Sequence, residues 1–330
     1  MPFQLSEYAK LANTPKLNSA VIMTILRYSQ IMDMIPWDNT GSFTQKTTRW
    51  NTLPSVAFRD LNGTYTESLG SYDQVWESVY AFGGKVTWDR AYELVTDPIR
   101  DPIADTVEMK LKSMALTFND YFINGDHASD AKGFEGLKKR VSLMPSRQTV
   151  YPRGITSVTA PLDPTASTAN ARAFLSSFDK ALKYCNGDKC NAIFMNENSY
   201  LGFSEVLTYA NVNGGSLLDV TKDEFDRRVV SYRGVPFVDV GLKYDQATEI
   251  ISDSETDGTG GSIATSYYFV SYDALEGISG IQMKDMDILD DVADGPLQPG
   301  KVIDWFCGLA SWGKYGIVRL ANTESSPNWT

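Results

Sequence analysis

The stretch from Trp37 to Gly84 reads as a long two-stranded excursion carrying few large aliphatic side chains. Strand-like pieces at Ser42–Trp50, Ser55–Phe58 and Gln74–Phe82 are divided by Pro54, Asn62-Gly63 and Gly70-Ser71. Asn-Gly between short strands is a hairpin-turn signal. A ribbon of this kind buries little apolar surface by itself, and an isolated hairpin is marginal in water. It needs a partner surface, and that need limits what the rest of the chain can be.

A long helix follows. Asp97-Pro98 and Asp101-Pro102 each have the form of a helix start, with Asp as cap and Pro at the first helical position. Apolar residues recur at Ile103, Val107, Leu111, Met114, Phe118 and Tyr121-Phe122, and Asn124-Gly125 ends the run. At 1.5 Å per residue it is about 35 Å long with one apolar stripe, and Glu108 and Lys112 lie four apart on its polar face. Upstream, Leu17, Val21, Ile25, Tyr28 and Met32 have helical spacing over Leu17–Ile35, which Pro36 stops.

Beyond a Gly-punctuated loop (Gly125–Gly136), Leu137–Thr159 reads as strand-rich, and a loop with Pro161 and Pro164 marks a subdomain boundary. Ala169–Cys185 is expected as a helix, Ala192–Met195 as a buried strand, and Asn196 as the opening of a second helix with Tyr200, Phe203 and Leu207 inward. Val229–Tyr232 and Val235–Val240 flank Arg233-Gly234 as a hairpin. Ser266–Tyr272 is an aromatic-rich strand, and Ile278–Leu320 reads as strands broken by Gly and Pro. Alternation of helices and strands over roughly 170–275 gives a compact α/β subdomain within an α+β chain.

The chain has 330 residues, 42% of them hydrophobic, which is ample for a large core. A net charge of -11 weakens any reading as a duplex-binding protein. Three cysteines, Cys185, Cys190 and Cys307, are an odd number for a disulfide framework and point to synthesis in a reducing cytoplasm. The first residues carry no signal-peptide core, and no run approaches the ~18 apolar residues of a membrane span.

Candidate chemistry is thin. The one histidine, His127, sits in a turn segment and leaves no His-paired nucleophile or His-rich metal site without it. Cys185 and Cys190 lack the further ligands of a zinc site. Asp253-Ser254-Glu255-Thr256-Asp257-Gly258 begins like a calcium loop, but Ala264 stands where the twelfth-position acid belongs. Asp285, Asp287, Asp290, Asp291 and Asp294 read as a solvated acidic segment, since their spacing selects no catalytic pair. Lys138-Lys139-Arg140 reads as a solvated strand edge.

The ordered combination of an N-terminal helical arm, an extended hairpin, a long helix, a β segment, an α/β subdomain and returning strands resembles the major capsid proteins of tailed bacteriophages. Their architecture is the Hong Kong 97 phage capsid fold, shared with encapsulins. Three stretches are similar to the family. Tyr121-Phe122-Ile123-Asn124-Gly125-Asp126 with Gly133-Phe134-Glu135-Gly136-Leu137 resembles the spine-helix exit, with a Gly-Leu strand start. Tyr232-Arg233-Gly234-Val235-Pro236-Phe237-Val238 resembles the axial-domain hairpin. Val302–Phe306 through Gly316–Leu320 resembles the closing strand pair.

The resemblance implies an N-terminal arm (1–36), an extended loop and its base (37–97), a peripheral domain with the spine helix (98–164), an axial domain (165–275) and return strands of the peripheral domain (276–330). It implies a non-enzymatic subunit without cofactor or metal, forming hexamers and pentamers of a shell that encloses double-stranded DNA without sequence-specific binding. The expected partners are copies of itself, scaffolding and portal proteins, and a decoration protein, with the virion as location and no membrane. The near-immediate start of the arm suits a separate scaffolding protein or a trimmed mature form. Expected assembly contacts on the loop are Arg59, Asp60, Asn62, Tyr65, Glu67 and Tyr72. Rival readings are an encapsulin shell, a carboxylate-based glycosidase, and a tail or decoration component.

Overall fold

The structure is a computed structural model that describes residues 3–4, 23–91, 102–211, 217–222, 226–256, 258–274, 276–291 and 298–325. The first part of the chain forms β1 (Phe3–Gln4), α1 (Gln30–Met34), β2 (Pro36–Asn39), β3 (Thr44–Thr52), β4 (Ser71–Ser78), β5 (Tyr80–Thr87) and α2 (Pro102–Asn124). Next come α3 (Leu137–Leu143), β6 (Thr149–Val150), α4 (Thr168–Tyr184), β7 (Ala192–Met195) and α5 (Glu197–Tyr209). Strands β8 (Leu218–Lys222), β9 (Arg228–Tyr232), β10 (Val235–Asp239), β11 (Glu255–Thr256) and β12 (Ser262–Val270) follow. The chain ends in β13 (Ile278–Gln282), β14 (Asp287–Asp291), β15 (Gly300–Ser311) and β16 (Ile317–Glu324).

Among the described residues these strands form two sheets and one ribbon, giving the expected mixed α+β architecture. In the first sheet β5 runs antiparallel along one edge of β15, from Thr87 opposite Gly300 to Tyr80 opposite Cys307. The other edge of β15 is shared by β14 and then β13, and β2 lies parallel to β13. The second sheet has the order β6-β16-β12-β7-β10-β9-β8, with β11 on β12. The ribbon is β3 paired with β4.

The second sheet is the wall between two cores, and the period of two along its strands sorts the residues. On β7, Ala192 and Phe194 face the core that contains α2, while Ile193 and Met195 face α4 and α5. Phe122 of α2 meets Phe194 edge-on at 5.2 Å between ring centroids. Across the wall, Phe178 of α4 lies 4.8 Å from Phe269 and 5.2 Å from Phe203. Ser167 and Asn196 cap α4 and α5 by accepting from the backbone N–H of Asn170 and Ser199. Arg233 and Gly234 both have positive φ, 50° and 83°, the geometry that a two-residue hairpin loop requires.

Helix α2 has 23 residues and buries Leu111, Met114, Ala115, Phe118, Phe122 and Ile123. Its described part begins at Pro102; Asp97, Pro98 and Asp101 lie outside the described residues. Phe118 is the centre of the first core, with Phe134, Trp37 and Trp305 at 5.6, 5.9 and 5.9 Å. At the helix exit Gly136 donates its N–H to the Gly125 carbonyl at 2.8 Å. A Cβ on either glycine would sit 2.5 Å from the Tyr121 carbonyl oxygen, so only glycine permits this backbone approach.

Several expectations are corrected. Leu137–Thr159 is not strand-rich: it forms α3, a 3-10 turn at Ser146–Gln148 and the two-residue β6. Leu137 and Val141, four apart, both enter the core from one helical face, so the Gly-Leu strand start is a helix start. The helix expected over Leu17–Ile35 is broken at Ser29, whose Oγ accepts from the Met32 N–H and donates to Asn119 of α2 at 2.6 Å. Residues 17–22 lie outside the described residues, and 23–28 form the helical piece before the break.

Trp37 does not open the excursion, because it is buried against Trp305 at 4.7 Å, and Ser55–Phe58 forms no strand. The Gln74–Phe82 strand is two strands, β4 and β5, divided at Val79. Finally, β15 and β16 are not a pair. β15 belongs to the first sheet, whereas β16 crosses into the second between β6 and β12. Gly313 allows the crossing by packing directly on the Glu276 backbone.

Truncating the shared aromatic centre tests this packing. Phe118→Ala is expected to destabilise the subunit by about 3–5 kcal/mol, read as a lower midpoint in urea unfolding.

Candidate assembly surface

The β3–β4 ribbon extends from Thr44 opposite Ser78 to Thr52 opposite Ser71. Alternation gives it two unlike faces. Gln45, Thr47, Arg49, Asp73, Val75 and Glu77 are half-buried or buried. Arg49 binds Asp73 on this face at 3.1 Å, and Lys314, from the loop after β15, donates to Asn51. The opposite face carries Lys46, Trp50, Tyr72 and Trp76, open to solvent; Trp50 and Tyr72 are each 71% exposed and Trp76 is 62% exposed. Trp50 stands directly opposite Tyr72, and Lys46 lies 4.9 Å above the Trp76 ring, so the face is a short aromatic stripe.

Residues 53–70 form the tip, where Leu53, Val56, Phe58, Leu61, Tyr65 and Leu69 are all exposed. Asn62 has φ 70°, the left-handed conformation its turn needs. Arg59 closes the turn by donating to the carbonyls of Asp60 and Gly63 at 3.3 and 3.2 Å while lying 5.3 Å from the Tyr65 ring. The six residues expected from the sequence therefore divide. Arg59, Asp60, Asn62 and Tyr65 form one clamp at the tip, Glu67 is exposed on its returning limb, and Tyr72 belongs to the aromatic stripe. Trp50 and Trp76, which share the exposed face of the ribbon with Tyr72, were not singled out; the alternating positions Trp50, Thr48 and Lys46 were the available signal. Covering one such aromatic ring stabilises by about 1.5–3 kcal/mol, so the arm is an unsatisfied surface on a lone subunit.

The arm is held rigidly at its base. Glu77, at the end of β4, receives a two-pronged bond from Arg140 of α3 at 2.6 and 2.9 Å, with both residues buried. Arg140 also donates to the Leu309 carbonyl at 2.6 Å and the Glu135 carbonyl at 2.8 Å, and the Ser311 N–H donates to Glu77 at 2.9 Å. The preceding lysines point elsewhere: Lys138 pairs with Glu255 at 2.8 Å and Lys139 with Asp126 at 3.2 Å. Lys138-Lys139-Arg140 is thus no solvated strand edge but a helix turn that fastens three elements.

Glu255 sits between Lys138 and Arg319, with a 2.5 Å bond from Ser266. Burial acts to raise its pKa, but the charges of Arg319 and Lys138 together with these hydrogen bonds outweigh burial and hold it below the ordinary 4.5. Asp253 accepts from Asn196 and Asn198 instead, so the calcium-like sequence spreads its acids over different partners, with Asp257 outside the described residues. Among the described residues no cluster of three or more His, Cys, Asp or Glu side chains is placed to hold a metal. His127 is an exposed turn residue whose Nδ1 lies 3.1 Å from the Gly133 carbonyl. Glu108 and Lys112 both engage Tyr28, the first by a 2.8 Å hydrogen bond from its hydroxyl. Of the late carboxylates, Asp287 pairs with Lys284 and Asp290 with Lys301.

No family model and no curated protein matches the sequence. Solved structures do match. The SrpI encapsulin of Synechococcus elongatus PCC 7942 superposes with a TM-score of 0.62 at 12% identity, covering 98% of this chain and 97% of that one. The capsid of a native GTA particle gives 0.56 at 12% identity, covering 95% and 93%. The capsid of cyanophage Pam1 gives 0.54 at 10% identity, covering 86% of each chain. This is the Hong Kong 97 capsid fold. The Hong Kong 97 likeness runs over nearly the whole chain, and at these identities it is a likeness of fold. No helix among the described residues of this Hong Kong 97-type chain is long and apolar enough to cross a membrane.

Two outcomes are expected for the arm base and its neighbour. Arg140→Met leaves the Glu77 carboxylate buried without its partner and lowers stability by about 3–5 kcal/mol in urea unfolding, and a Glu77→Leu/Arg140→Met double variant recovers much of that loss. For Glu255 the folded pKa lies below the unfolded one, so its stabilisation is complete above about pH 4.5 and fades as pH falls through the folded value. Glu255→Gln should therefore be less stable at neutral pH and show a flatter loss of stability below pH 4.5, measured by unfolding across a pH series.

Proposed function

We propose that this chain is the major capsid protein of a tailed bacteriophage, a non-enzymatic subunit that assembles as hexamers and pentamers into the icosahedral head. The observation that carries the reading is the arm: a ribbon with an exposed aromatic stripe and an apolar tip, fixed to its own subunit by a buried ion pair. A surface held in place but left uncovered is built to be covered by another copy. The neighbours of the same fold are capsids and a shell-forming encapsulin, which supports the same conclusion.

In this reading 1–36 serves as the N-terminal arm, 37–97 as the extended loop that carries the ribbon, 98–164 as the peripheral domain, 165–275 as the axial domain and 276–330 as the return segment of the peripheral domain. Arg59, Asp60, Asn62, Tyr65, Glu67 and Tyr72, with Trp50 and Trp76, make contacts between subunits. Scaffolding and portal proteins act during assembly in the host cytoplasm, a decoration protein binds the finished virion, and the shell encloses double-stranded DNA. The charge of -11 keeps the wall from adhering strongly to the packaged polyanion.

An encapsulin-type shell is the second reading, favoured by the 0.62 TM-score against 0.56 and 0.54 for the two capsids. The contents of shells from the native source separate the two: double-stranded DNA supports the capsid, and an enzyme cargo without DNA supports the encapsulin. The common claim of assembly is tested by electron microscopy of the purified protein. Closed shells or capsomer rings are expected from the wild type. A variant with residues 53–70 replaced by a short turn should stay folded by circular dichroism and form none, while normal shells from that variant would overturn the role given to the tip.

A further inference from the structure

Helix α4 ends at Cys185, and the chain must reverse at once to enter β7. It does so through three successive residues in the left-handed region: Asn186 at φ 44°, Gly187 at 70° and Asp188 at 86°. Such a run is costly for the two non-glycine residues and persists only where the surroundings impose it. The N–H groups of Asp188 and Lys189 both return to the Cys185 carbonyl, at 3.0 and 3.1 Å, and Lys183 pairs with Asp188 at 3.0 Å. This curl delivers Cys190 to Cys185.

Both thiols then rest on one corner of the second sheet. Cys185 Sγ faces the Gly316 carbonyl and Cys190 Sγ the Val270 carbonyl, at 3.8 and 3.6 Å, and the Ser271 N–H donates to that same Gly316 carbonyl at 2.9 Å. Cys190 Sγ also lies 3.4 Å from the Ala192 carbonyl, at the start of β7. Cys185 is fully buried and Cys190 half-buried, whereas Cys307 is buried in the other core.

We infer that Cys185 and Cys190 are a dithiol that closes to an intrachain disulfide when the protein meets a low-molecular-weight disulfide. The accessible Cys190 thiolate attacks one sulfur of the small disulfide, and one small thiol leaves. The Cys185 sulfur attacks Cys190 in that mixed disulfide, and its proton passes to the second small thiol as that thiol is expelled. Two protein thiols are oxidised, one small disulfide is reduced to two thiols, and one S–S bond replaces another. Hydrogen bonding to Cys190 and burial both push the Cys185 thiol up, which keeps it protonated and makes Cys190 the entry point. The product staples the end of α4 to the start of β7, and nothing in this chemistry depends on shell formation.

The test uses the full-length protein and oxidised glutathione. After incubation, free thiols are blocked with N-ethylmaleimide under denaturing conditions, and the protein is read by intact mass and peptide mapping. Expected from the wild type is a loss of two hydrogens, with Cys307 as the one alkylated thiol. Cys185→Ser should instead retain glutathione on Cys190, and Cys190→Ser should react far more slowly and close no bond. A lasting glutathione adduct on wild-type Cys190, two unreacted thiols, or a disulfide between chains would each overturn the inference.

Discussion

The buried bond between Glu77 and Arg140 is the constraint on which the rest depends. Two charges removed from water are stabilising only when their hydrogen-bonding capacity is met, and here five hydrogen bonds meet it. Those bonds join the end of β4, the short helix after the α2 exit, and the C-terminal end of β15. A greasy contact would tolerate sliding; a two-pronged guanidinium–carboxylate pair does not. It fixes the direction in which the ribbon leaves the body, and hence where its aromatic stripe is presented.

The body that the pair anchors to is stiff for a separate reason. The second sheet is buried on both sides, so α2 and the pair α4 and α5 are held at opposite faces of one wall. Because β16 crosses into that wall from β15, the last strands of the chain tie the two sheets together. An arm on a hinged body would make contacts of variable geometry. An arm on this body is presented in one geometry, as the proposed assembly requires.

Much of this was legible where the rules are local. The opening at Asn196, the hairpin at Arg233-Gly234, the stripe of α2 and the poverty of the excursion in aliphatic residues all follow from neighbours a few positions apart. What escaped was decided at long range. Arg140 finds Glu77 across 63 positions and Lys138 finds Glu255 across 117, so a basic triplet that looked solvated is the fastening point of the arm. Trp37 looked like the first residue of the excursion because Pro36 precedes it, yet tertiary packing on Trp305 claims it for the core. Trp50 and Trp76 went unnoticed because their shared face exists only once the β3–β4 register is set. The proposed contact residues at the tip were legible as an exposed turn, but not their division into an arginine clamp and a stripe.

The central claim is that the exposed face of the arm becomes covered when copies assemble. Hydroxyl-radical footprinting of unassembled subunits and of purified shells measures this directly. The expected result is strong loss of reactivity on assembly at Trp50, Phe58, Tyr65, Tyr72 and Trp76, with the already buried Trp37 and Trp305 unchanged. Equal labelling of the arm residues in subunit and shell would contradict it.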